Sequence, residues 1–169
     1  MREWYVAGAV IEAEDGSILL VQNLRRGGAL DWTTPGGVVE LEAGESVIDG
    51  LTREVSEETG LLVTGWEGPL YRVSTTAPDL GWVMHVEVHR ALAHRGDLRV
   101  GDDPDGIVVD AAFVAAHACD EHLAGGHPWV REPLVAWLTG DRSVEAEAPH
   151  HRYEVHGSDF RDARILRLT

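Results

Sequence analysis

The run from Ser46 to Gly60 constrains this chain more than any other stretch. Ser46 can cap a helix, Asp49 stands where a capping-box partner would, and Gly60 can end the helix. At about 100° per residue, Val47, Ile48, Leu51 and Val55 share one sector, which makes a core face. Glu54, Glu57 and Glu58 fall in the adjacent sector. Carboxylates at i, i+3 and i+4 repel each other, and the C-terminal half of a helix is where its dipole disfavours negative charge. Such a cluster points to a hard divalent cation, because Mg²⁺ and Mn²⁺ take clustered oxygen ligands. The plainer alternative is a charged, solvated helix end.

The segment Arg53-Glu54-Val55-Ser56-Glu57-Glu58-Thr59-Gly60-Leu61 resembles the REUxEExGU end of the Nudix box, in which U is aliphatic. Glu45 precedes Arg53 at the family's spacing, with positions 46–52 between them. Gly37 and Glu45 are separated by positions 38–44, two more than the family has. This places a two-residue insertion near Leu41-Glu42, in the loop before the helix, where added length is tolerated.

The resemblance covers about residues 3–140 and implies an α+β fold, the Nudix-like α/β/α sandwich with a mixed β-sheet between helices. It also implies metal-assisted hydrolysis, with Mg²⁺ or Mn²⁺, of the pyrophosphate bond in a nucleoside diphosphate linked to another group. ADP-ribose and a nucleoside triphosphate are examples. A cation at the anhydride offsets the negative charge that repels an attacking water. By the family pattern Glu57 and Glu58 are metal ligands, and Glu54 is a ligand, a general base, or both. Gly37 contributes its backbone carbonyl to the metal, and Arg53 and Glu45 form an ion pair that braces the loop. Family members often add an acid from a later loop, for which Asp105 is the candidate and Asp103 its neighbour. The alternative function is a Nudix-fold binding or sensing module without turnover. The retained Arg53-Glu54 and Glu57-Glu58 pairs favour the enzyme, since a module freed from catalysis could lose these mutually repulsive acids.

Charge and composition narrow the partners. The formal charge of −15 argues against a phosphate-tracking nucleic-acid binder and against an anionic membrane surface. All 14 basic residues are arginine, so Schiff-base chemistry and a Walker-type phosphate lysine are excluded. The single cysteine, Cys119, permits no internal disulfide, which suits a reducing cytosol. The start, Met1-Arg2-Glu3-Trp4-Tyr5, does not read as a signal peptide, and no apolar run reaches membrane-spanning length. A cytoplasmic protein with a small nucleotide-type substrate is expected, with neither duplex nucleic acid nor membrane as partner. A homodimer is a candidate assembly.

Along the chain, Trp4 to Ala13 reads as a strand buried on both faces, Glu14 to Ser17 as a hairpin turn, and Ile18 to Gln22 as the returning strand. Asn23 to Leu30 is a loop. Strands follow at Leu61–Trp66, Leu70–Thr75, Trp82–Ala93 and, as the last of the sheet, Ile107–Val114, with breaks at Gly68-Pro69 and Ala77-Pro78-Asp79. Ala115 to Leu123 and Pro128 to Leu138 read as helices. One domain over residues 1–140 is expected, then a tail over 141–169 of unknown role with a late strand near Tyr153–Val155.

Candidates for the organic part of the substrate are Arg25 and Arg26 for phosphate, and Trp32, Tyr71 and Trp82 for stacking on a base. Each has an ordinary reading as surface charge or core aromatic. Pro78 lies about where ADP-ribose-type members carry a proline, and the proline- and aromatic-rich run of NADH-cleaving members is absent. His85, Glu87 and His89 share one strand face and form a rival metal site, with a polar or solvated face as the preferred reading. His150, His151 and His156 are read as solvated tail residues.

Overall fold

The structure, a computed structural model, describes residues 1–140, 142 and 147–169. A six-stranded mixed sheet runs β4-β1-β6-β5-β8-β9 and a three-stranded sheet runs β3-β2-β7. The strands are β1 (Arg2–Val10), β2 (Ile18–Leu24), β3 (Leu30–Thr33), β4 (Gly36–Val38), β5 (Leu62–Ala77), β6 (Trp82–Arg95), β7 (Val108–Val114), β8 (His150–His156) and β9 (Arg164–Leu168). The helices are α1 (Val47–Thr59), α2 (Cys119–Leu123) and α3 (Pro128–Thr139). β1 runs parallel to β6 and β5 parallel to β8, while the remaining pairings are antiparallel. Among the described residues no helix is long and apolar enough to cross a membrane.

Alternation along β1 builds a core on each face of the large sheet. Ala7 and Ala9 join Leu51 and Val55 of α1, while Val10 joins Leu123 of α2 and Trp129 and Leu134 of α3. The result is helices on both faces, as the sequence implies. Ser46 caps α1 by accepting the Asp49 N–H (3.1 Å), and Gly60 ends it in the left-handed region, its N–H donating to Ser56. Leu51 and Val55 are fully buried, but Val47 and Ile48 are only half so, because the first turn overhangs the edge of the core.

Several expectations need correction. β1 is buried on both faces only in its second half, since Arg2, Glu3 and Tyr5 lie beyond the reach of α1. The hairpin turn at Glu14–Ser17 forms as expected, Glu12 pairing antiparallel with Ile18 and the Leu19 N–H donating to Ile11 at 2.9 Å, and β2 then continues in the small sheet. Gly68-Pro69 does not break β5; pairing with β6 lapses between Glu67 and Tyr71 and resumes. Proline has no N–H to give the ladder, and an irregularity absorbs that loss. Only Cys119–Leu123 of the helix over Ala115–Leu123 is α-helical, after a 3₁₀ turn at Ala116–Ala118. β7 belongs to the small sheet and is not the last strand. The late strand near Tyr153–Val155 is present as β8, β9 follows it, and Tyr153 and Val155 are core residues. Of the polar stretch 141–149, residues 141 and 143–146 lie outside the described residues.

The insertion forms an exposed 3₁₀ turn, Leu41–Ala43, closed by Gly44, and leaves the antiparallel pairing of Ala7 with Gly37 undisturbed. That pairing lays β4 against α1 and decides where the carboxylates sit.

Candidate active site

Glu54, Glu57 and Glu58 converge on one cavity of about 490 Å³, which Gly37, Asp103 and Asp105 also line. α1 presents the three acids toward β4 rather than toward solvent, and Glu58 is 7 % exposed. Its Oε2 accepts the Gly36 N–H at 3.2 Å. A Cβ at Gly36 would collide with the Ala7 carbonyl, and its φ of 148° also requires glycine. A Cβ at Gly37 would lie 2.5 Å from the Glu54 carboxyl carbon. Bare backbone here lets the acids approach β4.

Arg53 holds the arrangement. Its Nε and Nη2 donate to Glu45 at 2.7 and 3.1 Å, and its Nη1 reaches Glu54 at 2.8 Å and Glu57 at 3.3 Å. Glu45 also accepts the Glu40 N–H at 2.8 Å, so one guanidinium ties the inserted loop to the helix. The ion pair and that hydrogen bond lower the Glu45 carboxyl below its ordinary range. Burial raises Glu54, partly countered by Arg53 and reinforced by Glu57 and Asp103. Glu58 is pushed up to about 8, first by burial, against the Gly36 N–H and with Glu54, Asp103 and Glu57 adding repulsion.

Among the described residues, no three acidic, histidine or cysteine side chains are set to grip one ion as they stand. At α1, Arg53 spans Glu54 and Glu57. The donor set nonetheless fits a hard dication: oxygen-only ligands, one deeply buried, whose clustered charge one guanidinium cannot balance. Asp103 and Asp105 both line the cavity, and the charge of Asp103 is the one that reaches Glu54 and Glu58. Asp103 also accepts the Asp105 N–H at 3.1 Å, shaping the turn.

A second cavity, of about 470 Å³, shares Arg25, Thr33 and Gly36 with the first. Aromatic rings line it: Trp4, Tyr71, Trp82, His127, Trp129 and Phe160. Trp82 is stacked between Trp4 (5.9 Å) and Phe160 (5.8 Å), and His127 lies flat on Trp129 at 4.2 Å. Of the sequence candidates, Arg25 stands at the junction, paired to Asp31 at 2.8 Å. Tyr71 and Trp82 line the aromatic cavity, and Tyr71 is also a core residue. Arg26 lies on an exposed turn lining neither cavity, and Trp32 packs against the core and His122 instead. His85 bonds Glu3 (2.7 Å) and His89 bonds Glu87 (3.1 Å), so the two imidazoles serve different acids. Trp4, His127, Trp129 and Phe160 escaped the sequence reading. Trp4 shares the period-2 face of β1 with Val6 and Gly8, and Pro128 marks the helix start that His127 and Trp129 flank. Phe160 has no local signal.

A family profile described as the NUDIX domain matches residues 3–138. The human 8-oxo-dGDP phosphatase NUDT18 is 40 % identical over 109 residues, 64 % of this chain and 31 % of that protein. A MutT-like protein of Streptomyces ambofaciens is 31 % identical over 123 residues, 60 % of this chain and 76 % of its own. The chain thus spans about a third of the length of the NUDT18 proteins it matches. Among solved structures, a MutT NUDIX hydrolase from Burkholderia pseudomallei is similar with TM-score 0.59 and 27 % identity, over 69 % of this chain and 86 % of that one. A MutT protein from Bacillus halodurans, at TM-score 0.67 and 21 % identity, covers 96 % of this chain and 97 % of its own, and supports the fold.

Proposed function

Because the chain belongs to the Nudix family, we propose that it is a metal-dependent hydrolase cleaving the pyrophosphate bond of a purine nucleoside di- or triphosphate. One observation carries this reading: the carboxylate cavity and the aromatic cavity meet at Arg25, Thr33 and Gly36. A nucleotide has the same two-part chemistry, a polyanion joined to a flat apolar ring. The substrate for which the NUDT18 relatives are named, 8-oxo-dGDP, is of this class.

Glu54, Glu57 and Glu58 with the Gly37 backbone would hold Mg²⁺ or Mn²⁺, which when bound supplies charge neutralisation at the anhydride and acidifies water. Glu54, raised by burial but steadied by Arg53, is the group that takes the proton of the attacking water. Arg53 restrains Glu45 and with it the inserted loop, and Arg25 at the junction offers charge to the phosphates. The aromatic cavity holds the base and shields it from water.

The test is a screen of nucleoside di- and triphosphates with Mg²⁺ or Mn²⁺, reading phosphate and monophosphate release, on the chain and on Glu57→Gln. Glutamine keeps the size of the side chain and removes one crowded charge. Turnover is expected to fall about 100-fold or more, roughly 3 kcal/mol, with the melting temperature unchanged or higher. Full activity in excess chelator, or unaltered turnover in Glu57→Gln, would defeat the proposal. Nucleotide binding without turnover would leave a binding module instead.

A further inference from the structure

Residues 150–169 lie beyond the region matched by the family profile, yet they are built into the large sheet and into the wall of the aromatic cavity. β8 pairs with β5 from Arg72–His150 to Thr76–Glu154, and β9 continues the sheet. Tyr153 and Val155 are buried, and the Tyr153 hydroxyl donates to Glu132 of α3 at 2.8 Å. The connection between the two strands is tethered as well. The Gly157 N–H donates to Asp79 at 2.9 Å, and Gly157, at φ 132°, passes close against Ala163. This holds the Phe160 ring parallel to Trp82 (5.8 Å, 16°) and 6.0 Å from His127.

Phe160 remains 48 % exposed. Its indole neighbour covers one side of the ring, and the remaining apolar surface faces the cavity and solvent. A large ring presented by an anchored connection, on the rim of a cavity walled by other rings, is a surface made for another flat apolar group.

We infer that the β8–β9 connection is a base-binding element of this chain, with Phe160 the platform against which the base of the nucleotide packs. This rests on the assignment of the aromatic cavity to the base. The C-terminal segment thereby acts on the affinity for the base without touching the carboxylates. Base–aromatic contacts are sequence-tolerant and each contributes about a tenfold gain in affinity or more, so losing one should raise KM and spare kcat.

The experiment uses the full chain as Phe160→Ala, Phe160→Leu and Phe160→Trp. Steady-state kinetics are measured with the nucleoside diphosphate that the unsubstituted chain hydrolyses fastest. GMP and inorganic pyrophosphate serve as competing probes, and direct binding of GMP is followed by calorimetry. Phe160→Ala and Phe160→Leu are expected to raise KM and the GMP inhibition constant about tenfold, with kcat within threefold and pyrophosphate inhibition unchanged. Phe160→Trp should restore both. Because the ring is half exposed, melting temperatures should stay within about 3 °C of the parent. Unchanged KM and GMP affinity in a folded Phe160→Ala would overturn the platform and leave the hydrolase standing. GMP binding that depends on Phe160 in a chain that hydrolyses no nucleotide would support the platform and overturn the hydrolase. A parent chain that neither hydrolyses nucleotides nor binds GMP would overturn both.

Discussion

Glu58 and Glu57 are neighbours in sequence with very different surroundings, and the difference is measurable. Burial lifts the Glu58 carboxyl to about 8, so the folded chain keeps a proton that the unfolded chain releases in the ordinary carboxylate range. The folded state then binds more protons than the unfolded one between that range and pH 8. Stability from this group is present at low pH and lost as pH rises through the window. In chelator, the melting temperature of the parent should therefore fall from pH 5 to pH 8 relative to Glu58→Gln. At pH 8 the variant should melt roughly 5 °C or more higher. Millimolar Mg²⁺ at pH 8 should raise the parent and do little for the variant. Parallel pH profiles from differential scanning fluorimetry would refute the assignment of the buried proton to Glu58. The sequence shows that three acids share a helix face, because helical spacing is local information. It does not rank them by depth, since depth comes from Gly36 on another element.

At the scale of elements, the inserted loop is tied to α1 by a polar clamp, the Glu40 N–H to Glu45 and Glu45 to Arg53, beside the packing of Val39 on Leu51 and Val55. The 3₁₀ turn Leu41–Ala43 contains no buried residue and does not line the carboxylate cavity. Deleting Leu41 and Glu42 should therefore leave turnover within about threefold and the melting temperature within a few degrees, as loop lengths change stability only weakly. A hundredfold loss of turnover on deletion would show that the turn shapes the site. Helix α1 was legible from Ser46, its apolar spacing and Gly60, all of which act locally. The continuity of β5 was not, because Gly68-Pro69 reads as a stop and only pairing with β6 on both sides carries the strand across it. β8 was legible merely as a β-rich run near Tyr153. Its partner, Arg72 to Thr76, is remote in sequence, and parallel pairing leaves no turn signal between the two strands.

For the whole molecule, the C-terminal strands are part of the fold rather than an appendage. Tyr153 is 1 % exposed, lies in the core with Leu134 and Trp129, and bonds Glu132. Tyr153→Ala should cost about 3–5 kcal/mol and lower one cooperative unfolding transition. Calorimetry showing a separate, earlier transition with the main one unmoved would mean that the strands fold independently. The aromatic cavity was the least legible feature of all, since its rings come from β1, β5, β6, the start of α3 and the β8–β9 connection. No spacing rule joins such positions. The row Trp4–Trp82–Phe160 brings together residues from near the two ends of the numbered chain. During synthesis, every residue lining the carboxylate cavity has been made once Ile107 is added, whereas the ring at position 160 arrives about fifty residues later. On the proposed function, a chain emerging from the ribosome thus completes the parts that would receive phosphate before the ring that would meet the base, and its grip on the base comes after its grip on the phosphates.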